Sequence, residues 1–156
     1  MKYTCYKGCH WFLPVIPRFY WKRKKFNWLV SFDGSCKYDI QEEQLDWNKL
    51  VGVSNYLNPR KDSLRFVWRY NIPNDNFEIG IYVEKNKVFN SFTICSVKEN
   101  EKLELELLLS SNSSMIMSAN GISKIVDFKL NDFSIRTNPY FGGNMPSPHK
   151  MFLMLK

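Results

Sequence analysis

The sequence predicts an all-β protein, an antiparallel β-sandwich of jelly-roll type with about ten strands and at most one short helical turn. Three observations carry this. Residues 63–97 hold three segments that alternate between apolar and polar residues, separated by two turn signals, as in an antiparallel meander. The composition suits pleated surfaces: twelve Phe, eight Tyr and five Trp stand against one alanine, Ala119, where helix-rich chains use much Ala. Turn signals recur at short spacing, and Asn120-Gly121 is the strongest hairpin turn among them.

Taken in order, residues 1–25 are aromatic, basic and broken by Pro14 and Pro17, which disfavours a helix and suggests an extended, partly edge-like strand that folds over the body. Phe26, Trp28, Val30 and Phe32 then share one face of a strand, and Asp33-Gly34-Ser35 turns the chain. The Q-E-E-Q run at 41–44 suits one helical turn. Residues 47–54 resume as a strand, and a polar loop with Pro59 follows. In the meander, Leu64, Phe66, Trp68, Phe77, Ile79 and Ile81 are the predicted core, with Arg65, Arg69 and Tyr82 on the opposite face. Lys85-Asn86 is the expected loop between its second and third strands, and Phe92, Ile94 and Ser96 are expected on one side of the third. Leu103, Leu105, Leu107 and Leu109 alternate with Glu104 and Glu106 as a half-buried strand. A hairpin around Asn120-Gly121, a short strand at 132–135 and a final strand at 151–155 complete the chain.

At 156 residues the chain reads as one domain, 1–156, long enough to bury its own core. Its net charge of +7 is uneven. Seven of the 22 basic residues fall in 1–25, which hold no acid, and the other 15 balance the 15 acids. A neutral body with a basic arm argues less for nucleic acid than a uniformly basic domain would. Lys7, His10, Pro14, Pro17 and Arg18 interrupt any apolar h-region, so no secretion signal is expected, and the expected location is cytoplasmic or virion-associated. No apolar run reaches the roughly 20 residues of a membrane span. Cys5, Cys9, Cys36 and Cys95 are expected as reduced thiols, mostly in the core.

Three motifs in this order carry a resemblance: K-G-x-H at 7–10, D-W-N-K-L-V-G at 46–52, and Y-F-G-G-N followed by P-H at 140–149, with S-L-R-F-V-W-R-Y-N between them at 63–71. Together they resemble an uncharacterised family of small β-sandwich proteins from bacterial and viral genomes, of concanavalin-like or jelly-roll appearance. The resemblance spans nearly the whole chain and implies the fold. It implies no activity and assigns no catalytic residue.

Each motif has a structural and a functional reading. Tyr140-Phe141-Gly142-Gly143-Asn144 is either a tight corner or a ligand loop in which Asn144 and His149 donate hydrogen bonds. Asp46-Trp47-Asn48-Lys49 either buries Trp47 while Asp46 and Asn48 satisfy loop backbone groups, or offers Trp47 for sugar stacking beside two polar groups. Arg65, Arg69 and Tyr82 form either a solvated sheet face or a binding surface. Arg18, Trp21, Lys22, Arg23, Lys24 and Lys25 either protect an edge from aggregation or grip an anionic partner. Cys5-x3-Cys9-His10 lacks the second ligand pair that a tetrahedral zinc site needs, so no metal and no cofactor are expected. The carboxylate pairs Glu42/Glu43 and Glu104/Glu106 have no predicted cleft, and no nucleophile elbow exists.

The expected function is therefore a non-enzymatic β-sandwich binding module, with carbohydrate as the leading ligand through Trp47, Asn48, Arg65, Arg69, Tyr82, Asn144 and His149. The alternative is a structural or assembly component, docking on a protein partner through the basic arm. A glycan-active enzyme ranks behind both. The oligomeric state stays open.

Overall fold

A computed structural model describes residues 1–111 and 113–156. It contains two antiparallel sheets and thirteen strands among the described residues. In chain order they are β1 (Lys2–Cys5), β2 (Phe12–Leu13), β3 (Phe19–Trp21), β4 (Lys25–Phe32), β5 (Asn48–Ser54), β6 (Asp62–Asn71), β7 (Asn76–Lys85), β8 (Val88–Val97), β9 (Leu103–Ser111), β10 (Ser114–Ala119), β11 (Ile122–Asp127), β12 (Phe133–Thr137) and β13 (Met151–Leu155). One sheet runs β11-β10-β9-β4-β13-β1-β2, the other β3-β12-β5-β6-β7-β8. The helical content is two short 3-10 turns, Gly34–Cys36 and Gln41–Leu45, the second over the predicted Q-E-E-Q run. No helix among the described residues is long and apolar enough to cross a membrane.

The alternation read from the sequence sets the layers. Leu64, Phe66 and Trp68 of β6 and Phe77, Ile79 and Ile81 of β7 are fully buried. They meet Phe26, Trp28, Val30 and Phe32 of β4 from the opposite sheet. Phe32 lies 5.0 Å from Trp68 and 4.7 Å from Phe77, centroid to centroid, and Trp28 lies 6.4 Å from Phe66. Each such side chain contributes about 1.5–3 kcal/mol on burial, so this aromatic layer holds the sheets together.

Three expectations are sharpened or corrected. The basic arm, expected as a partly edge-like strand folded over the body, contributes strands to both sheets. β1 lies between β13 and β2 inside the seven-stranded sheet, with Tyr3 and Cys5 buried, and β3 is an edge strand of the other sheet. Hydrogen bonding to the C-terminal strand β13, 150 residues away in sequence, left no local signal. The loop between β7 and β8 is Asn86-Lys87, not Lys85-Asn86, and both residues have positive φ (49° and 68°). Such a two-residue turn matches the twist of the paired strands, which selects this register. In β8 the pairing slips between Ile79 and Gly80 of β7. Ile94 is the extra residue, so Phe92, Ile94 and Cys95 all pack against the core while Ser96 is exposed, and the strict alternation fails.

Candidate functional site

The six-stranded sheet has a second face, turned away from the core. Its residues follow from the register. Lys49 of β5 stands opposite Val67 of β6, Val67 opposite Gly80 of β7, and Gly80 opposite Thr93 of β8. Outside the strands, Tyr140 bridges to Lys49 on one side and to Trp11 on the other. A lateral row thus runs Trp11, Tyr140, Lys49, Val67, Gly80, Thr93. At the usual strand spacing it spans about 24 Å. The next row holds Gly52, Arg65 and Tyr82, and beyond it lie Ser63 and Glu84; on the other side stand Arg69 and Glu78.

Two features let Trp47 lie over this face. Gly80 offers no side chain, and a Cβ there would stand only 2.8 Å from Trp47 Cη2. The Arg69 guanidinium stacks 4.3 Å from the indole centroid on the same ring. Arg69 is itself fixed: its Nε donates to Glu78 Oε2 at 2.7 Å and its Nη1 to the Leu45 carbonyl at 2.9 Å. Burial raises the Glu78 pKa, but hydrogen bonds from Asn71 and Arg69 outweigh it and hold the carboxyl below its ordinary range.

Arg65 is buried on this face and spent. It donates to Ser63 Oγ (2.8 and 3.1 Å) and to the Pro59 carbonyl, and pairs with Glu84 at 3.3 Å. Tyr82 stacks on Phe89 at 5.4 Å and stays half-buried. Tyr140 is sandwiched by neighbours of its own, with His10 stacked at 5.0 Å and Trp11 edge-on at 4.9 Å.

Lys49 is the odd member. Its Nζ donates to two carbonyls, Trp47 and Gly142, both at the long distance of 3.3 Å. It sits 5.8 Å from the Tyr82 ring centroid and 6.0 Å from that of Tyr140. Among the described residues it forms no ion pair. Burial, followed by the charge of Arg65, lowers its pKa.

Of the expected ligand residues, Trp47, Arg65, Arg69 and Tyr82 come together on this face. Asn144 is exposed in the adjacent loop, whose Gly143 lies against Asp46. Asn48 does not belong. It stands opposite Trp68 on the inward side, 1% exposed, donating to Tyr38 Oη at 2.8 Å and accepting from the Gly142 N–H. Its amide holds the glycine corner, where Gly142 takes φ +66° and a Cβ would strike the Met145 carbonyl. His149 is also elsewhere, its Nε2 2.8 Å from the Ser35 carbonyl.

The basic cluster is divided by the fold. Trp21 is 69% exposed on edge strand β3, with Lys22 5.7 Å from its ring. Arg23 folds onto Tyr20 and Phe26, and Lys25 pairs with Glu106 on the other sheet at 2.5 Å. Arg18 gives its carbonyl to the Arg136 N–H, and Lys24 likewise gives its carbonyl to Leu109. Glu104 and Glu106 line a groove of about 710 Å³ on the outer side of the seven-stranded sheet. The described residues contain no group of three His, Cys, Asp or Glu side chains placed to hold a metal ion.

Sequence reasoning missed Lys49, Tyr140 and Trp11 as members of one row. The irregular pairing between Lys49 and Val51 and the bridges through Tyr140 place them together. Neither leaves a period-two signature.

No family model and no curated protein matches this sequence. Solved structures share its architecture. Alginate lyase PA1167 from Pseudomonas aeruginosa is 11% identical, with 88% of this chain and 67% of that chain covered, at a TM-score of 0.55. Alginate lyase AlyC3 is 11% identical over 99% of this chain and 69% of its own, at 0.55. An alginate lyase from Alteromonas sp. 272 is 8% identical over 85% and 72%, at 0.52. The protein is a jelly-roll β-sandwich. At these identities the likeness extends to the fold, and the motif-level family resemblance gains no support beyond it.

Proposed function

We propose that this protein is a non-catalytic carbohydrate-binding module, and that the outer face of the six-stranded sheet receives an oligosaccharide. The observation that carries this is the row from Trp11 through Tyr140 and Lys49, with Trp47 and Tyr82 beside it. Aromatic rings on such a face can stack against the C–H faces of sugar rings, while cations and backbone groups between them bond hydroxyls. Lys49 and Tyr82 stand on strands β5 and β7, and backbone bridges tie Tyr140 to Lys49 and to Trp11. Alginate lyases share the sandwich, which makes a polysaccharide the ligand class to test first.

Titrating the full chain with a panel of oligosaccharides, followed by tryptophan fluorescence and NMR, tests the reading. Shifts should cluster on Trp11, Trp47, Tyr82 and Tyr140. Binding that leaves these unmoved, or no binding across the panel, overturns it.

A second reading rests on a separate observation. Phe19, Trp21 and Phe133 are 57%, 69% and 45% exposed on edge strand β3 and its neighbour β12, beside Lys22, Arg23 and Lys24. An aromatic, basic edge of this kind suits docking on an acidic protein partner. Replacing Phe19 and Trp21 by Ser should then abolish co-sedimentation with that partner and leave glycan binding intact.

A further inference from the structure

Three cations stand on the outer face of the six-stranded sheet, and they are not equivalent. Arg69 has Glu78 at 2.7 Å, and Arg65 has Glu84 at 3.3 Å. Each arginine is neutralised by the residue directly across from it or one pair along on β7. Lys49 has no such partner. Glu84 and Asp46 act on it only at longer range, and Arg65 opposes them. An ammonium carries three donors. Two of these reach carbonyls at 3.3 Å, and the third is unassigned.

A half-buried cation without a counter-ion is unfavourable in the unliganded protein. It becomes favourable when a ligand supplies the anion. The setting narrows which anion. Nζ lies about equally far from the Tyr82 and Tyr140 rings, so a group bound there is flanked by two aromatic surfaces. A uronic acid combines a ring that can stack on one tyrosine with an exocyclic carboxylate that can reach the ammonium. A neutral hexose offers the ring alone.

Resting on the carbohydrate reading above, we infer that the ligand is an acidic glycan whose uronate carboxylate is received by Lys49 Nζ between Tyr82 and Tyr140. Arg65 and Arg69 do not compete for it, because their guanidinium groups are held by protein acceptors. They set the shape and field of the face instead.

The test is calorimetric titration of the full chain with alginate oligomers and with the same oligomers after reduction of their carboxyl groups. The acidic oligomers should bind at least about ten-fold more tightly, the scale of one hydrogen bond to a charged group. That preference should shrink as salt is raised. In Lys49→Met the ratio of the two affinities should fall toward one, and Lys49→Arg should retain a preference. Equal affinity for acidic and reduced oligomers overturns the acidic-glycan inference while the carbohydrate reading stands. So does an undiminished preference in folded Lys49→Met, and so does tighter binding of a sulfated neutral glycan than of the uronate. Failure of both oligomers to bind overturns the acidic-glycan inference, and the oligosaccharide panel then decides the carbohydrate reading. The comparison of the two oligomers on the unaltered protein decides without any variant.

Discussion

Arg136 donates from Nη2 to the hydroxyl of Tyr3 at 2.8 Å, across the interior from β12 of one sheet to β1 of the other. Both residues are buried, 3% and 1% exposed. Among the described residues the guanidinium pairs with no carboxylate; its other acceptors are the Asn138 side chain at 2.9 Å and the Ile16 carbonyl at 3.5 Å. Tyr3→Phe should therefore cost about 1–3 kcal/mol in a denaturant melt, because it removes one of the few acceptors of a buried guanidinium. Removing residues 1–25 takes out β1, β2 and β3 together with this bond, and circular dichroism should show an unfolded chain. A folded truncated protein would contradict the placement of these strands.

Gly52 and Gly80 both lie on the outer face, and they should respond differently to alanine. A Cβ at Gly52 would meet the Leu64 carbonyl and the Arg65 Cα, which belong to the adjacent backbone. Gly52→Ala should cost about 3 kcal/mol or more, since strands must separate. At Gly80 the nearest atom belongs to the Trp47 ring at 2.8 Å, with the Phe92 carbonyl at 3.0 Å. Gly80→Ala should cost less stability but displace the indole, read as a shift in tryptophan emission and loss of glycan binding.

The contrast between those glycines also shows where sequence reading succeeded and failed. Period-two runs such as 64–70 and 77–83 located both the core and the face carrying Arg65, Arg69 and Tyr82, because a regular strand fixes which side each residue takes. The arm reads in sequence only as a partly edge-like strand, because the interior place of β1 comes from its pairing with β13, which a local pattern does not record. Asn48 was misplaced for a related reason. Its polarity suggested the ligand face, whereas its amide satisfies Gly142 and Tyr38 inside. Lys49 enters the sequence reading only as a motif member, because its role depends on what it lacks, and pairing is visible only in three dimensions.

Glu78 ties stability to acid pH. Although burial alone would raise its pKa, the bonds from Asn71 and Arg69 depress it below the ordinary 4.5. The folded protein therefore binds this proton less readily than the unfolded chain does. The stabilisation is fully present above about pH 4.5 and is lost as pH falls through the depressed value. Melts of the native protein and Glu78→Gln between about pH 6 and pH 3 should converge at the acid end. A constant gap would show that Glu78 titrates no differently in the two states.

The cysteines differ sharply in access. Cys9 is exposed, whereas Cys5 and Cys36 are buried and Cys95 is half-buried. Burial pushes Cys5 and Cys95 up to about 11, and Cys36 higher still. The thiolate is the reactive form. A thiol reagent near neutral pH should consume Cys9 rapidly, Cys95 slowly, and Cys5 and Cys36 only with unfolding. Mass spectrometry of the labelled peptides measures the order.

Lys49→Met should leave the fold at least as stable as before. The side chain keeps its length and apolar stem, and a half-buried ammonium without a counter-ion is removed. Because burial and then Arg65 lower the folded pKa of Lys49 below 10.5, the unfolded state holds this proton more tightly than the folded state. The charged lysine thus opposes folding at neutral pH, and the opposition fades as pH rises through the lowered value and is gone above 10.5. The stability advantage of Lys49→Met should be largest near neutrality and vanish at strongly alkaline pH. A large loss of stability at neutral pH would instead mean that the bonds to the Trp47 and Gly142 carbonyls hold the corner together, and Lys49 would then be a structural brace.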